Sequence, residues 1–134
     1  MKSSVMNSEQ SRAAGLKVLR DMGWPEDSGL PEMDPQFWAF TKEHLLGQVW
    51  SRPALSLRDR ELVTLAILMA VDADLGQRNH LRYAYKLGIT EEQMREIIIQ
   101  VCYYSGWCVG AAAMARFRKV LQEPDCGWPS AQKK

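Results

Sequence analysis

Residues 56–72, SLRDRELVTLAILMAVD, contain the longest apolar run of the chain, which extends from Leu62 to Val71 with only Thr64 inside it. Ser56 and Asp59 are spaced like the two residues of a capping box, which predicts that a helix begins here. Because apolar residues occupy every side of that helix, the pattern predicts a helix that is buried all round and forms the centre of the core. The run has about half of the ~20 residues needed to cross a bilayer, so no membrane span is expected.

The composition around this run is that of an ordinary soluble protein. The chain has 134 residues, of which 46% are hydrophobic and 25% charged, and its net charge of +1 indicates no nucleic-acid partner. We expect a single domain over residues 1–134. The three cysteines form no C-x-x-C pair, and the first residues do not resemble a secretory signal. These features predict free thiols and a cytoplasmic location.

Capping and stop signals predict further helices on both sides of the apolar run. About six helices are expected, over Ser8 to Met22, Asp34 to about Trp50, from Ser56, over Leu75 to Leu87, after Thr90 and after Gly106. Residues 26–33 are predicted to form a loop and residues 125–134 a flexible tail. No stretch alternates with a period of two, so the predicted fold class is all-α. The small residues from Gly110 to Ala115 would let another helix approach closely, within the subunit or across an interface.

Three side chains are the candidates for acid–base chemistry. His44 and His80 are the only histidines, and imidazole is the side chain that titrates near neutral pH. A packed or surface role for either histidine stays open. Glu61 shares a helix face with Leu65 and is predicted to place a carboxylate at the start of the buried helix. The alternative is a first-turn glutamate that stabilises the helix dipole.

Arginines and aromatic residues around these candidates indicate the kind of ligand. The arginines near the apolar run and His80 are Arg52, Arg58, Arg60, Arg78 and Arg82. One or two that turn inward would bind a carboxylate in forked geometry, so we expect a small anionic organic substrate. Tyr104 and Trp107 could line such a pocket, although core packing would explain them equally well. The sequence has no phosphate-binding loop, serine-hydrolase motif or metal-ligand spacing, so no cofactor or metal is predicted.

Six blocks of sequence together resemble the carboxymuconolactone decarboxylase family. They are Phe37-x-x-Phe40, Gly47-x-Val49-Trp50-Ser51-Arg52-Pro53-x-Leu55, Arg58-x-Arg60-x-Leu62-Val63-Thr64-Leu65-Ala66, His80-Leu81-Arg82 with Ala84, Gly88-Ile89-Thr90-x-Glu92, and Tyr104-Ser105-Gly106-Trp107. Their order and spacing are those of the family, and the similarity covers roughly residues 36–120. The resemblance implies an all-α fold of the alkylhydroperoxidase D type and assembly into a homo-oligomer, a trimer or a hexamer.

The same resemblance implies where the site lies. In the peroxidase branch of this superfamily one site follows the pattern Glu-x11-Cys-x-x-Cys-x-x-x-His, and here its four positions hold Glu61, Ala73, Gly76 and His80. Because both cysteines are missing, peroxidase or disulfide reductase activity is not expected. The decarboxylase branch, which lacks those cysteines, removes carbon dioxide from 4-carboxymuconolactone without a cofactor.

By this resemblance His80 is the expected proton donor, with Glu61 beside it in the catalytic set. His44 is expected to orient the substrate or polarise its carbonyl. The expected substrate-binding residues are Arg52, Arg60, Trp50, Tyr104 and Trp107. The decarboxylase branch usually has a small neutral residue in place of Glu61 and a proline in place of Cys108, so a family member acting on another carboxylated or cyclic metabolite is a second hypothesis. A non-catalytic oligomeric binding protein is a third.

Overall fold

The computed structural model describes residues 5–26 and 34–133, and within those ranges the regular elements are all helical. The predicted all-α fold of the alkylhydroperoxidase D type is therefore confirmed. The described ranges contain six α-helices, which are α1 (Ser8–Met22), α2 (Pro35–Phe40, continued by a π-helical segment Thr41–Trp50), α3 (Leu57–Ala70), α4 (Asp74–Tyr83), α5 (Glu91–Ser105) and α6 (Trp107–Leu121). Most of the loop predicted over residues 26–33 lies outside the described ranges. No helix in the described part of the chain is long and apolar enough to cross a membrane.

The chain divides into two compact units, Met1–Leu57 and Arg58–Lys134. In the N-terminal unit, α1 has the predicted bounds, Ser8–Met22. Asn7 and Gln10 form a reciprocal capping box at its start. At its end Gly23 adopts φ 72°, and the Gly23 and Trp24 amides donate to carbonyls of the last turn, as in a Schellman motif. A few capping residues therefore determine the length of this helix.

Helix α2 begins at the predicted residues and continues as a π-helix. The Asp34 carboxylate accepts a hydrogen bond from the Phe37 amide at 2.7 Å, and Pro35 occupies the first turn. The π-helical segment packs on α1 at two glycines. A Cβ on Gly15 would lie 2.1 Å from the Lys42 carbonyl oxygen, and a Cβ on Gly47 would lie 2.1 Å from the Ser11 carbonyl oxygen. Only glycine allows the two backbones to approach this closely.

The C-terminal unit has its own apolar core, built on α3 to α6. Helix α3 contributes Leu65 and Met69, which are fully buried. Val63, Ile67 and Val71 are exposed, so the prediction that this helix is buried all round is wrong. Its sequence is apolar on every side, but the core of its own unit covers only one face. The other faces remain accessible in a single chain.

Helices α5 and α6 meet where the sequence contains a capping signal and a small residue. Thr90 and Gln93 form the predicted capping box at the start of α5. On α6, a Cβ on Gly110 would lie 1.9 Å from the Cys102 sulfur on α5. The close approach that small residues permit is thus used within the chain at this position.

The segment that follows α6 is packed rather than frayed, so the flexible tail predicted for residues 125–134 is contradicted up to residue 130. Trp128 is fully buried, its ring lies 5.2 Å from that of Phe117, and its indole nitrogen donates to the Leu81 carbonyl at 2.8 Å. The Ser130 amide donates to the Glu91 carboxylate at 3.0 Å. Burial of one aromatic ring outweighs the polar composition of this segment.

Replacing Trp128 tests this packing. We expect Trp128→Ala to lower the free energy of unfolding by about 3 to 5 kcal/mol, because it removes a buried ring and leaves a cavity. Urea unfolding followed by circular dichroism measures the change. Trp107→Ala makes the same change at a side chain that is 73% exposed and should shift stability by no more than about 0.5 kcal/mol. Equal effects of the two substitutions would contradict the packed segment.

Candidate active site

The central feature of the C-terminal unit is a buried carboxylate that faces a histidine. Both carboxylate oxygens of Glu61 on α3 lie 2.9 Å from Nδ1 of His80 on α4. The Glu61 side chain is fully buried, whereas 17% of the His80 side chain is exposed. The structure therefore supports the buried interpretation of Glu61 and brings together two of the predicted catalytic residues.

This geometry sets the chemistry of the imidazole. An ionised carboxylate only accepts hydrogen bonds, so Nδ1 of His80 carries the proton that lies between the two groups. Nε2 is then the atom through which the ring gains or loses a proton. A histidine held in this way is suited to deliver a proton to a ligand and to recover it from water.

The turn between α3 and α4 determines that the two residues meet. Asp72 adopts φ 55° at the end of α3, a conformation that side chains other than glycine adopt at some cost in energy. The Leu68 carbonyl accepts hydrogen bonds from the Ala73 amide at 2.9 Å and from Nε2 of the buried Gln77 at 3.0 Å. These bonds satisfy a backbone carbonyl at the end of α3 and hold the first turn of α4 against that end.

Arg116 of α6 binds two acidic residues at the same turn. Its guanidinium donates to Asp72 and to Asp74, each at 2.7 Å, and to the Gln77 amide oxygen at 3.3 Å. The hydrogen bond from Arg116 is the main cause that holds the pKa of the Asp74 carboxyl below its ordinary value, and Arg78 acts in the same direction. Sequence reasoning missed this cluster because its members come from the α3–α4 turn, from α4 and from the distant helix α6.

Three of the arginines near the apolar run and His80 bind protein groups. Arg82 forms a forked pair with Glu123, with the shortest contacts at 2.9 Å, and Arg78 pairs with Asp74. Arg58 donates to the Gln93 side chain at 2.8 Å. These three arginines therefore join side chains of the C-terminal unit to one another.

The other predicted residues of the C-terminal unit occupy different surroundings. Arg60 is half-buried on α3 directly before Glu61, and Tyr104 and Trp107 are largely exposed around the turn between α5 and α6. Their roles in substrate binding remain predictions. Ala73 and Gly76 occupy the positions between Glu61 and His80 at which the peroxidase pattern has cysteines.

The remaining predicted residues belong to the N-terminal unit. His44 and Arg52 are exposed, and Trp50 is one of the buried side chains of that unit. Their functional roles also remain predictions. The three cysteines are free thiols, as expected. Within the described ranges no group of three or more His, Cys, Asp and Glu side chains is arranged to hold a metal ion.

Comparison with known proteins identifies the same part of the chain. A model of the carboxymuconolactone decarboxylase family matches residues 35–119. The 4-carboxymuconolactone decarboxylase of Acinetobacter baylyi is 31% identical over 123 residues, which cover 88% of this chain and 92% of that protein. The nitrosuccinic acid decarboxylase of Metarhizium robertsii is 30% identical over 135 residues, which cover 92% of each chain. The matched range includes both Glu61 and His80.

The ion pairs at the α3–α4 turn predict how stability depends on pH. Because the pKa of Asp74 is lowered in the folded protein, its contribution is fully present above the unfolded value of about 4. That contribution is lost as the pH falls through the lower folded value. We therefore expect Asp74→Asn to be less stable than wild type at neutral pH and to lose less stability between about pH 5 and pH 2.

Urea unfolding across that pH range measures both effects. Glu96→Gln, which changes an exposed carboxylate on α5, is the matched control and should follow the wild-type curve. If Asp74→Asn and wild type lost stability in parallel, the ion pair with Arg116 would not contribute to the acid sensitivity of the fold.

Proposed function

The chain belongs to the carboxymuconolactone decarboxylase family, and from that premise we propose that it is a carboxy-lyase whose substrate is 4-carboxymuconolactone. The products are carbon dioxide and 3-oxoadipate enol-lactone. The observation that carries the proposal is the pair formed by the buried Glu61 and the partly exposed His80, at 2.9 Å. It supplies the proton donor that this reaction requires.

The reaction divides into a loss of carbon dioxide and a gain of a proton. When the C–C bond to the carboxylate breaks, its electron pair moves through the ring double bond onto the lactone carbonyl oxygen. The substrate is its own electron sink, so no cofactor is needed. The imidazolium of His80 then gives the proton on Nε2 to carbon, and Glu61 keeps its hydrogen bond to Nδ1 throughout. Water returns the proton to His80 and completes the cycle.

The second carboxylate of the substrate requires a cation. We propose Arg60 and Arg52 for this role, because both belong to the sequence blocks that resemble the family and lie within the range that the family model matches. A guanidinium can bind a carboxylate through two parallel hydrogen bonds and so fixes its orientation. Tyr104 and Trp107 are proposed to contribute aromatic surface to the same substrate.

A second candidate substrate is a dicarboxylate with another electron-withdrawing group on the carbon that loses carbon dioxide. The relative named as a nitrosuccinic acid decarboxylase is 30% identical to this chain, compared with 31% for the 4-carboxymuconolactone decarboxylase. A nitro group takes up the electron pair as a nitronate, so the demands on the protein are the same. Carbon then accepts a proton, and His80 is again the donor.

We also propose that the enzyme is a homo-oligomer, a trimer or a hexamer. The exposed apolar side chains of Val63 and Ile67 on α3 and of Val71 directly after it support this, because burying them against another subunit would remove apolar surface from water. Sedimentation velocity at micromolar concentration should give a mass three or six times that of the 15.3 kDa chain. A species of the mass of one chain would contradict the assembly.

Turnover of the two candidate acids by purified protein tests the activity. We expect His80→Gln to lower kcat at least tenfold, because removing a general acid costs about 10² to 10⁴ in rate. The glutamine amide can still donate to Glu61, which avoids an unpaired buried carboxylate. Glu61→Gln should also lower kcat, because a glutamine amide can itself donate to Nδ1 of His80 and so no longer fixes the ring proton on that atom.

The matched control is Glu96→Gln, which makes the same chemical change as Glu61→Gln at an exposed position and should retain wild-type turnover. Near-wild-type turnover by folded His80→Gln would rule out His80 as the proton donor. If neither acid is consumed by wild type, the carboxy-lyase proposal fails for both substrates. Binding of the acids without turnover would favour a binding protein.

A further inference from the structure

The other histidine of the chain, His44, has a different hydrogen-bonded partner. It lies on the π-helical segment of α2, where the side-chain nitrogen of Gln48 is 3.4 Å from its Nδ1. The same Gln48 nitrogen donates to the hydroxyl of Ser11 at 3.2 Å. Ser11 lies on α1 and is fully buried. Gln48 therefore links an exposed imidazole to a buried hydroxyl.

The partner of Nδ1 determines where a neutral imidazole carries its proton. An amide nitrogen has two hydrogens and only donates, so a single Gln48 side chain can donate to both His44 and Ser11. A ring whose Nδ1 accepts a hydrogen bond carries its proton on Nε2. His80 is held in the opposite way, because its Nδ1 faces a carboxylate. These contacts favour opposite tautomers for the two histidines.

The packing of α1 on α2 holds this arrangement in place. The Ser11 carbonyl oxygen is the atom that a Cβ on Gly47 would meet at 2.1 Å, so Ser11 lies at the closest approach of the two helices. Arg12 donates to the Glu43 carboxylate at 3.0 and 2.6 Å beside it. π-Helical turns are rare and occur frequently at functional sites. Gln48 and His44 both lie on such a segment.

The geometry points to Gln48, held by Ser11, as a positioning residue that keeps His44 in the Nε2–H tautomer. His44 then acts as a hydrogen-bond donor to a substrate oxygen on which negative charge develops, such as a lactone carbonyl or a nitro oxygen. This assignment of His44 rests on the proposed carboxy-lyase function, whereas the tautomer itself does not.

Nitrogen NMR of protein labelled at histidine tests the tautomer without any substrate. The chain has two histidines, so the spectrum contains two imidazoles, and His80→Gln assigns them. At about pH 9, well above the range in which an imidazole titrates, we expect His44 as Nε2–H and His80 as Nδ1–H. Gln48→Glu places an acceptor beside Nδ1 and should shift His44 towards Nδ1–H while His80 stays unchanged.

Kinetics test the role of that tautomer. Gln48→Glu should lower kcat for the accepted acid at least tenfold and leave the unfolding midpoint close to that of wild type. Gln100→Glu makes the same change at an exposed position on α5 and should retain wild-type kcat and both tautomers. Full kcat in Gln48→Glu with an inverted His44 would overturn the donor role.

The spectra separate a failure of this inference from a failure of the proposed function. His44 as Nδ1–H in wild type, or an unchanged His44 in Gln48→Glu, would overturn the positioning by Gln48 whatever the activity. The expected tautomers together with no turnover of either acid by wild type would support the positioning by Gln48. That result would overturn the carboxy-lyase proposal and, with it, the donor role of His44.

Discussion

The buried carboxylate of Glu61 is the constraint on which the rest of the C-terminal unit depends. A carboxylate removed from water costs several kcal/mol unless a partner compensates for it, and His80 is that partner at 2.9 Å. Helices α3 and α4 must therefore reverse direction so that these two residues meet. Asp72 has a positive φ at the point of reversal. Arg116 donates a hydrogen bond to its carboxylate there. The fold and the candidate site of this unit follow from the same requirement.

Some charged residues join helices to one another, and others belong to the candidate site. Arg82 is paired with Glu123, and Arg116 with Asp72 and Asp74, so these arginines join elements that are distant in sequence. Forked guanidinium–carboxylate pairs have a defined geometry, which suits them to fixing one helix against another. An arginine close to His80 in sequence is therefore no evidence by itself for an anion site. The partner of each guanidinium decides between the two roles.

Much of the fold could be predicted from short-range signals. The limits of α1 follow from Asn7 and Gly23, and the start of α5 follows from Thr90 and Gln93. These signals are reliable because each hydrogen bond joins residues only a few positions apart. The pairing of Glu61 with His80 was also predictable, but only through the resemblance to a family pattern. Periodicity alone left Glu61 equally consistent with a surface position in the first turn.

The sequence by itself determined the all-α class, the caps and stops of its helices, and the residues available for acid–base chemistry. Only the tertiary structure decided that α3 buries one face, that Gln48 contacts both His44 and Ser11, and that Trp128 belongs to the core. The Trp128 indole donates to a carbonyl 47 residues earlier in the chain. No local pattern specifies such a contact, because it depends on where the intervening helices place the two groups. Local hydrogen bonds define the helices, and long-range packing and charge pairing determine the site.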